Sequence, residues 1–497
     1  MRLATALFAV TIAACAAHTE TVGVDAGADL VDDLSRGDAA SADAAELPSL
    51  ELVVPCNDSL EQVYLTPTGL PALDAAHQGD LLRCAADHAL DLDGAGVDAV
   101  LAGEGIALGA PASGVAVYRV AFRTFRGDGR EGASTARVYV PTAPRALPLP
   151  VFVAGHPTEG MGDACASSRN PSSLRDLALP WAARGYAIIA PDYAGFGNEG
   201  VAGYLDNRDQ GHSILDGARA LRKLFVGSAM QERVVLAGFS QGGGAVLSAQ
   251  ALAKTYGAGG TLAAVVAFSP EWPIRYNSFA FVDMLRNPDT LIAYDLSNLN
   301  LSYGNHVIWT QRAYAYFANF STITTDGGAG FPAARKATFL SDMDSICGEV
   351  GIGAAIYVAA HPPFGAHNGD LFDSTFRTSL VACIDDPADP ACTGFGKDFY
   401  QHLGANHLSA DGKGAPVLYV QGLVDTVLPP AKEAACIVAK LQADGLSPQV
   451  CVDALAQHTS VTPRNMAYAI GWVEALLAGA TAPACPAATA LPAGSCD

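Results

Sequence analysis

Five runs of this chain are apolar at almost every position, and this feature limits its possible folds most strongly. The runs are LPVFVAG (149–155), YAIIAPD (186–192), RVVLAG (233–238), LAAVVAF (262–268) and PVLYVQG (416–422). Strands that are apolar on both faces are typical of a parallel sheet covered on both sides. Helix-sized segments alternate with them, at 208–226, 241–255, 430–443 and 463–477. The β-α-β-α order therefore predicts an α/β fold with a mostly parallel, doubly wound sheet.

The remaining segments predict how the chain is divided. The runs VYRVAFRTF (117–125) and ARVYVP (136–141) are separated by a turn-rich stretch, which predicts an antiparallel pair at the start of the sheet. Residues 271–412 lack the strand–helix alternation, and a structureless loop of that length is implausible inside a domain. We therefore predict an α/β core in two parts, 49–270 and 413–497, with a mainly helical cap inserted at 271–412.

The N-terminus has the pattern of an export signal. MRLATALFAVTIAAC contains one arginine, an apolar segment of about twelve residues and small residues before Cys15. The segment is too short to span a bilayer. Its end, IAAC, resembles the lipobox of bacterial lipoproteins, so we expect residues 1–15 to be a signal and Cys15 to be lipidated. A plain signal peptide cleaved nearby is the alternative.

The following residues, 16–48, are rich in Ala, Asp and Gly and predict a disordered acidic tether. With the signal, this predicts an exported protein, extracellular or in the cell envelope, attached to a membrane only through the lipid. The formal net charge of −21 argues against a nucleic-acid or anionic-membrane surface, because both would require clustered Lys and Arg.

The chain has eleven cysteines, and without Cys15 ten remain, which suits a compartment where disulfides persist. The pairing cannot be derived from sequence, but close spacing makes three pairs the easiest to form: Cys383 with Cys392, Cys436 with Cys451, and Cys485 with Cys496. Two longer bridges would then use Cys56, Cys84, Cys165 and Cys347.

One apolar run ends in the most informative motif, VVLAGFSQGGGAV, where Ser240 lies between Gly238 and Gly242. G-x-S-x-G between a strand and a helix is the nucleophile elbow of α/β hydrolases, a strained turn that lifts the serine hydroxyl clear of the sheet. Glycines avoid a clash where the strand and helix approach, and Gly243 and Gly244 would extend that close packing. Each costs roughly 1 kcal/mol relative to alanine in a helix, so a local requirement is expected. A structural turn is the alternative.

A serine needs a base, and the base needs an acid to fix its tautomer, so the fold predicts the chain order Ser, acid, His. Asp425 lies in the loop after the predicted strand PVLYVQG, and His458 lies in a loop before a predicted helix. Of the eleven histidines, His458 alone follows both Ser240 and Asp425. A surface acid or helix N-cap is the alternative for Asp425. Asp453 is the rival acid.

The motifs around these residues carry a family resemblance. AGHPTEGMGDACASS, GYAIIAPDYAGFG, GFSQGGGA and PVLYVQGLVDTVLPP resemble successive motifs of the secretory-lipase family of α/β hydrolases. The match runs in the same order over roughly residues 115–480 and is weakest in the cap. The resemblance implies a secreted enzyme that cleaves carboxylic esters, often of lipids, with a helical cap over the serine.

An oxyanion hole needs two donors, and the backbone N–H of Gln241, after the serine, is expected to be the first. Two departures from the family concern this site: Pro157 replaces the usual glycine beside His156, and Phe239 replaces the common tyrosine. Because proline lacks an N–H, we assign the second donor to Thr158, through its N–H or hydroxyl. His156 is interpreted as a packed structural histidine, with a catalytic role as the alternative.

Two groups of residues suggest metal sites: His361, His367 and Asp370, and separately His402 with His407. Neither spacing matches a familiar zinc site. The G-x-G of PDYAGFG is a weak nucleotide signal and is interpreted as part of the pocket wall. We therefore expect no metal and no cofactor.

Aromatic residues in the predicted cap have two interpretations: they line an acyl tunnel, or they pack the cap's own helices. They are Trp309, Tyr314, Tyr316 and Phe317.

The main hypothesis is a serine carboxylesterase or lipase acting on a small-molecule or lipid ester. A serine peptidase is the nearest alternative, because amide and ester cleavage share every group named above. A surface-tethered binding protein that reuses the fold is the second alternative. A complete triad in the right order counts against it, because a retired site would be free to lose any member.

Overall fold

The computed structural model describes residues 50–109, 112–143, 147–272, 279–290, 301–345, 347, 367–410, 412–486 and 490–494. These residues belong to one unit, Leu47–Asp497. The predicted signal, Cys15 and the tether lie outside the described residues.

The described strands form one mixed sheet of nine in the order β1-β2-β3-β5-β4-β6-β7-β8-β9. They are β1 (Leu81–Ala86), β2 (Val115–Phe125), β3 (Glu131–Pro141), β4 (Leu149–Gly155), β5 (Ala187–Ala194), β6 (Met230–Phe239), β7 (Thr261–Phe268), β8 (Val417–Gly422) and β9 (Gln449–Asp453). Strands β1, β2, β3 and β5 pair antiparallel, whereas every neighbouring pair from β5 across to β9 is parallel. The predicted α/β fold class is confirmed, and β1 is a strand that the sequence pattern did not indicate.

Helices pack on both faces of the sheet and, in the predicted cap, on one another. They are α1 (Gly94–Gly103), α2 (Leu179–Ala183), α3 (Asn207–Leu224), α4 (Gln241–Tyr256), α5 (Phe279–Arg286), α6 (Leu301–Asn319), α7 (Lys336–Met343), α8 (Ser374–Asp385), α9 (Gly394–Ala405), α10 (Ala434–Ala443) and α11 (Val461–Leu477). Along β4, Val151 and Val153 face the cluster formed with α3, α4 and α10, whereas Phe152 and Ala154 face the cluster formed with α1, α2 and α11. This burial on both faces explains why the central strands are apolar throughout.

The described part of the predicted cap is helical. Helices α5 to α9 lie between β7 and β8 in the chain, and their aromatic residues form a third apolar cluster with residues of the core loops. Phe317 of α6 is fully buried and packs against Phe376 of α8 and Phe395 and Phe399 of α9, with ring centroids 5.4, 5.8 and 6.1 Å away. Phe317 therefore packs the helices against one another. The limits 271–412 and the function of a cap stay predictions.

Four disulfides join described residues: Cys56–Cys84, Cys165–Cys347, Cys383–Cys392 and Cys451–Cys485. The short Cys383–Cys392 bridge is confirmed, and the four cysteines left for longer bridges do form two. The Cys165–Cys347 bridge ties the loop after β4 to the predicted cap.

Two predicted disulfides are wrong, because Cys451 bonds to Cys485 instead of Cys436, which also excludes a bond between Cys485 and Cys496. Cys451 points to the face of the sheet that carries α11, and Cys485 packs against the same cluster. Cys436 lies on α10, which packs on the opposite face, and it is itself disulfide-bonded. Closeness in sequence misled the prediction, because the sheet separates the two cysteines.

Candidate active site

Three residues predicted to form a triad follow three parallel strands at the same edge of the sheet. Ser240 follows β6, Asp425 follows β8 and His458 follows β9. The carboxyl ends of parallel strands meet at one edge, where open α/β sheets bind their ligands. The sheet therefore brings together residues that are up to 218 positions apart in the chain.

Ser240 occupies a strained turn. Its φ of 54° and ψ of −118° are unusual for a residue with a side chain. Three backbone hydrogen bonds hold it: the Ser240 N–H donates to the Phe268 carbonyl at 3.0 Å, and the N–H groups of Glu271 and Gly244 donate to the Ser240 carbonyl at 2.9 and 3.1 Å. The serine is thereby fixed against the end of β7.

The glycines after Ser240 permit close packing of α4. A Cβ added to Gly242 would lie 1.9 Å from the Gly155 carbonyl oxygen, and one added to Gly244 would lie 1.9 Å from the Glu271 carbonyl oxygen. No side chain fits at either distance. The need for this close approach explains why α4 begins with glycines, although each costs a helix roughly 1 kcal/mol relative to alanine.

Ser240, His458 and Asp425 form a continuous chain of hydrogen bonds. His458 Nε2 lies 3.0 Å from Ser240 Oγ, and His458 Nδ1 lies 2.8 Å from Asp425 Oδ2. The three side chains are almost fully buried, and the Phe239 ring packs 4.9 Å from the imidazole of His458. This geometry suits proton transfer from the serine to His458, with the carboxylate fixing the tautomer.

Backbone and side-chain donors hold Asp425 in place. Its Oδ1 accepts from the N–H groups of Val427 and Leu428 at 2.9 and 2.8 Å, and its Oδ2 also accepts from Gln421 Nε2 at 3.1 Å. Gln421 was missed in the sequence, although a polar residue within the apolar run PVLYVQG was a usable signal.

The rival acid Asp453 is occupied elsewhere. Arg464 Nε and Nη2 donate to its two carboxylate oxygens at 2.8 and 3.1 Å, and Asn465 Nδ2 donates to one of them at 3.2 Å. Arg464 holds the pKa of the Asp453 carboxyl below its usual range. Among the two acids, only Asp425 is placed against His458.

The predicted oxyanion donors lie at two neighbouring turns. Gln241 is the first residue of α4, where backbone N–H groups have no acceptor within the helix, and Ser240 makes no side-chain cap. Thr158 lies in the loop after β4, is buried, and shares a 2.9 Å hydrogen bond between its Oγ1 and the hydroxyl of Tyr204. Tyr204 was not predicted, because it reaches the loop from 46 residues away.

His156 is completely buried and lies outside the triad. Its ring is 4.3 Å from that of Tyr193, and its Nε2 is 3.2 Å from the Asp192 carbonyl oxygen. These contacts agree with a packed histidine.

Two of the residues suggested as metal ligands contact carboxylates. His367 caps a short turn with Asp370, and His402 Nε2 lies 3.0 Å from Asp206 Oδ2. In the described parts of the chain, no group of three or more His, Cys, Asp or Glu side chains is arranged to hold a metal ion. His361 lies outside the described residues.

Comparison with known proteins agrees with this fold and these motifs. The family model described as Secretory lipase matches residues 177–268, a segment that includes β6 and the serine turn. No curated protein matches the sequence.

Several solved structures share the fold at low identity. The rice cell wall degrading esterase LipA from Xanthomonas oryzae is 19% identical, with a TM-score of 0.57, over 82% of this chain and 97% of the esterase. Candida antarctica lipase A is 16% identical, with a TM-score of 0.58, over 87% and 90% of the two chains. A putative hydrolase from Legionella pneumophila is 16% identical, with a TM-score of 0.58, over 80% and 98%.

The serine turn, the sheet order and the similar solved structures lead to the same fold. The chain thus has the α/β-hydrolase fold, and its resemblance to the secretory-lipase family is confirmed by the family-model match over residues 177–268.

Proposed function

We propose that this chain is a secreted serine hydrolase of carboxylic esters, a carboxylesterase or lipase. The observation that carries the proposal is the chain of hydrogen bonds from Ser240 Oγ through His458 to Asp425, at 3.0 and 2.8 Å. Ser240 lies on a strained strand-to-helix turn, the arrangement that α/β hydrolases use for their nucleophile.

In the proposed reaction, Ser240 Oγ attacks the ester carbonyl carbon while His458 Nε2 takes the serine proton. The carbonyl oxygen becomes an oxyanion, which the Gln241 N–H and Thr158 stabilise. When the intermediate collapses, the C–O bond to the alcohol breaks and His458 returns its proton to the leaving alcohol. Water, deprotonated by His458, then attacks the acyl carbon; the bond to Ser240 Oγ breaks, the acid is released, and His458 returns the proton to Ser240 Oγ. Asp425 orients His458 and stabilises the imidazolium.

The comparisons favour an ester over an amide as substrate. The matched family is described as lipases, and two structurally similar proteins are named an esterase and a lipase. A serine peptidase with the same triad remains the competing hypothesis, and a non-catalytic binding protein is the other.

An activity assay distinguishes the esterase, the peptidase and the binding protein. The purified protein is given 4-nitrophenyl esters of increasing acyl length and, separately, aminoacyl 4-nitroanilides. The proposal predicts rapid ester cleavage and little or no anilide cleavage. Comparable turnover of anilides would favour the peptidase, and no turnover of either class would favour the binding protein.

The helices at the carboxyl edge are proposed to form a cap that sets substrate choice. The predicted insertion leaves the sheet at the carboxyl end of β7, where the Glu271 N–H donates to the Ser240 carbonyl, and the chain returns to the amino end of the parallel strand β8. The start of the insertion therefore lies at the edge of the sheet that carries Ser240. A cap that closes over the serine would also exclude water from the charged transition state.

Trp309→Ala should change the preferred acyl length of 4-nitrophenyl esters while acetate is still cleaved. The reason is its position: Trp309 contacts Arg312, whose neighbour Glu271 is hydrogen-bonded to Ser240. Phe317→Ala serves as the contrast, because it packs cap helices against one another and should lower the free energy of unfolding by about 3–5 kcal/mol. Chain-length profiles and denaturant unfolding of both variants measure this. An unchanged profile for Trp309→Ala would show that its part of the cap does not select the substrate.

Export is supported by the family match and the disulfides. In the described portion of the chain, no helix has the length and apolar character needed to cross a membrane.

Lipidation of Cys15 is a separate proposal. The mature protein should begin at Cys15 carrying two or more acyl chains, because a single chain holds a protein to a membrane only weakly. Intact mass spectrometry of protein expressed with its native N-terminus in a bacterial host measures this, with Cys15→Ser as the matched control. An unlipidated mature N-terminus would reject the anchor and favour a plain signal peptide.

A further inference from the structure

Arg312 is an unusual buried cation in α6. Its residue exposure is 3%, and within the described structure its Nη1 and Nη2 atoms make no hydrogen bond. A buried charge is costly unless it is paired and hydrogen-bonded. A buried arginine with two nitrogen atoms that make no hydrogen bond requires an explanation. One explanation is that these atoms bind a ligand.

The surroundings of Arg312 keep it charged. Its guanidinium lies 4.7 Å from the centre of the Trp309 ring, which favours a cation. Burial lowers the pKa of Arg312 to about 10, opposed by the nearby charges of Glu271 and Asp206. Arg312 therefore remains protonated at neutral pH.

Neither the Glu271 nor the Asp206 carboxylate accepts a hydrogen bond from Nη1 or Nη2 of Arg312. Asp206 is paired with His402 at 3.0 Å and caps α3 by accepting from the Asp209 N–H at 2.8 Å. Its position is thereby fixed by partners other than Arg312.

Arg312 is also close to the candidate active site. It interacts electrostatically with Tyr204, whose hydroxyl is hydrogen-bonded to Thr158, the proposed oxyanion residue. It interacts in the same way with Glu271, whose N–H donates to the carbonyl of Ser240. Two of its neighbours thus contact residues of the site directly.

We propose that Arg312 binds a free carboxylate on the substrate, so that the preferred substrates are esters that carry a second, unesterified carboxyl group. This inference rests on the proposed function and specifies its substrate class. The planar guanidinium presents Nη1 and Nη2 as parallel donors, which match the two oxygens of a carboxylate. A monoanionic carboxylate is favoured over a phosphate dianion because Glu271 and Asp206 would repel the larger charge.

Two matched pairs of esters test the proposal and locate the carboxylate. Mono-4-nitrophenyl adipate and 4-nitrophenyl hexanoate differ at the far end of the acyl chain, and 4-carboxyphenyl acetate and 4-methylphenyl acetate differ on the alcohol side. The variants are Arg312→Met, which removes the charge, Arg312→Lys, which keeps it, and Arg208→Met, an exposed control on α3.

Arg312→Met should lower the ratio of kcat/KM for the charged ester to that for its neutral partner roughly 10- to 100-fold in one pair, the loss expected for a charge-assisted hydrogen bond. Arg312→Lys should restore part of that ratio, and Arg208→Met should leave it unchanged. Unchanged ratios in both pairs for Arg312→Met would overturn the inference.

A binding measurement separates this inference from the proposed function. Ser240→Ala protein should bind monomethyl adipate more tightly than methyl hexanoate in calorimetry, and adding Arg312→Met should abolish the difference. Equal binding of the two esters would overturn the inference even if both are cleaved. If no ester is cleaved, the proposed function fails, and calorimetry still decides the role of Arg312.

Thermal unfolding excludes a purely structural role for Arg312. Because the substitution removes an unpaired buried charge, Arg312→Met should leave the Tm unchanged or raise it. A marked fall in Tm would indicate that the guanidinium stabilises the fold, which contradicts the proposal.

Discussion

Replacing Ser240 with alanine should lower kcat/KM for 4-nitrophenyl esters by on the order of 10⁴- to 10⁶-fold, because only substrate binding and oxyanion stabilisation remain without the nucleophile. The fold should be retained, since the substitution removes one hydroxyl. Steady-state kinetics and thermal unfolding of the purified variant measure both effects.

Ser228→Ala is the matched control, because Ser228 is exposed and lies before β6, away from the serine turn. It should retain full activity. If Ser240→Ala keeps activity near that of the unsubstituted protein, Ser240 is not the nucleophile.

Replacing Asp425 with asparagine should lower kcat by about 10⁴-fold, because the amide can hold His458 in the tautomer that cannot accept the serine proton. Asp453→Asn is the matched control. It weakens the pair with Arg464 at 2.8 Å, and because the Arg464 side chain is exposed, kcat and stability should both change little.

Measuring kcat of Asp425→Asn and Asp453→Asn under identical conditions decides which of the two residues is the acid of the triad. A larger loss in Asp453→Asn than in Asp425→Asn would assign the acid to Asp453 and contradict the geometry described above.

Much of the fold follows from local sequence patterns. A strand buried on both faces must be apolar throughout, so the central parallel strands could be located, and β4 was predicted with its observed bounds. The serine turn could also be located, because the whole motif lies within residues 238–242 and the close contact between Gly238 and Gly242 is local. The expected chain order of serine, acid and histidine then left His458 as the one candidate base among the histidines of the sequence.

Other features depend on contacts that sequence separation conceals. The cysteine pairs at β9 were wrong because the sheet places Cys436 and Cys451 on opposite faces. The hydrogen bond between Tyr204 and Thr158 arises only when two core loops meet, and the unsatisfied Nη1 and Nη2 of Arg312 arise only when α6 is buried in the fold. A pattern of apolar positions within one segment contains no information about such contacts.

Covalent labelling tests the central claim, that Ser240 is an activated nucleophile, most directly. The protein is incubated with a fluorophosphonate, and the modified residue is identified by peptide mass spectrometry. We expect one adduct, on the peptide that contains Ser240, formed much more slowly in Asp425→Asn and absent in Ser240→Ala. An adduct on another residue, or ester hydrolysis that continues at full rate in protein labelled completely at Ser240, would contradict the claim.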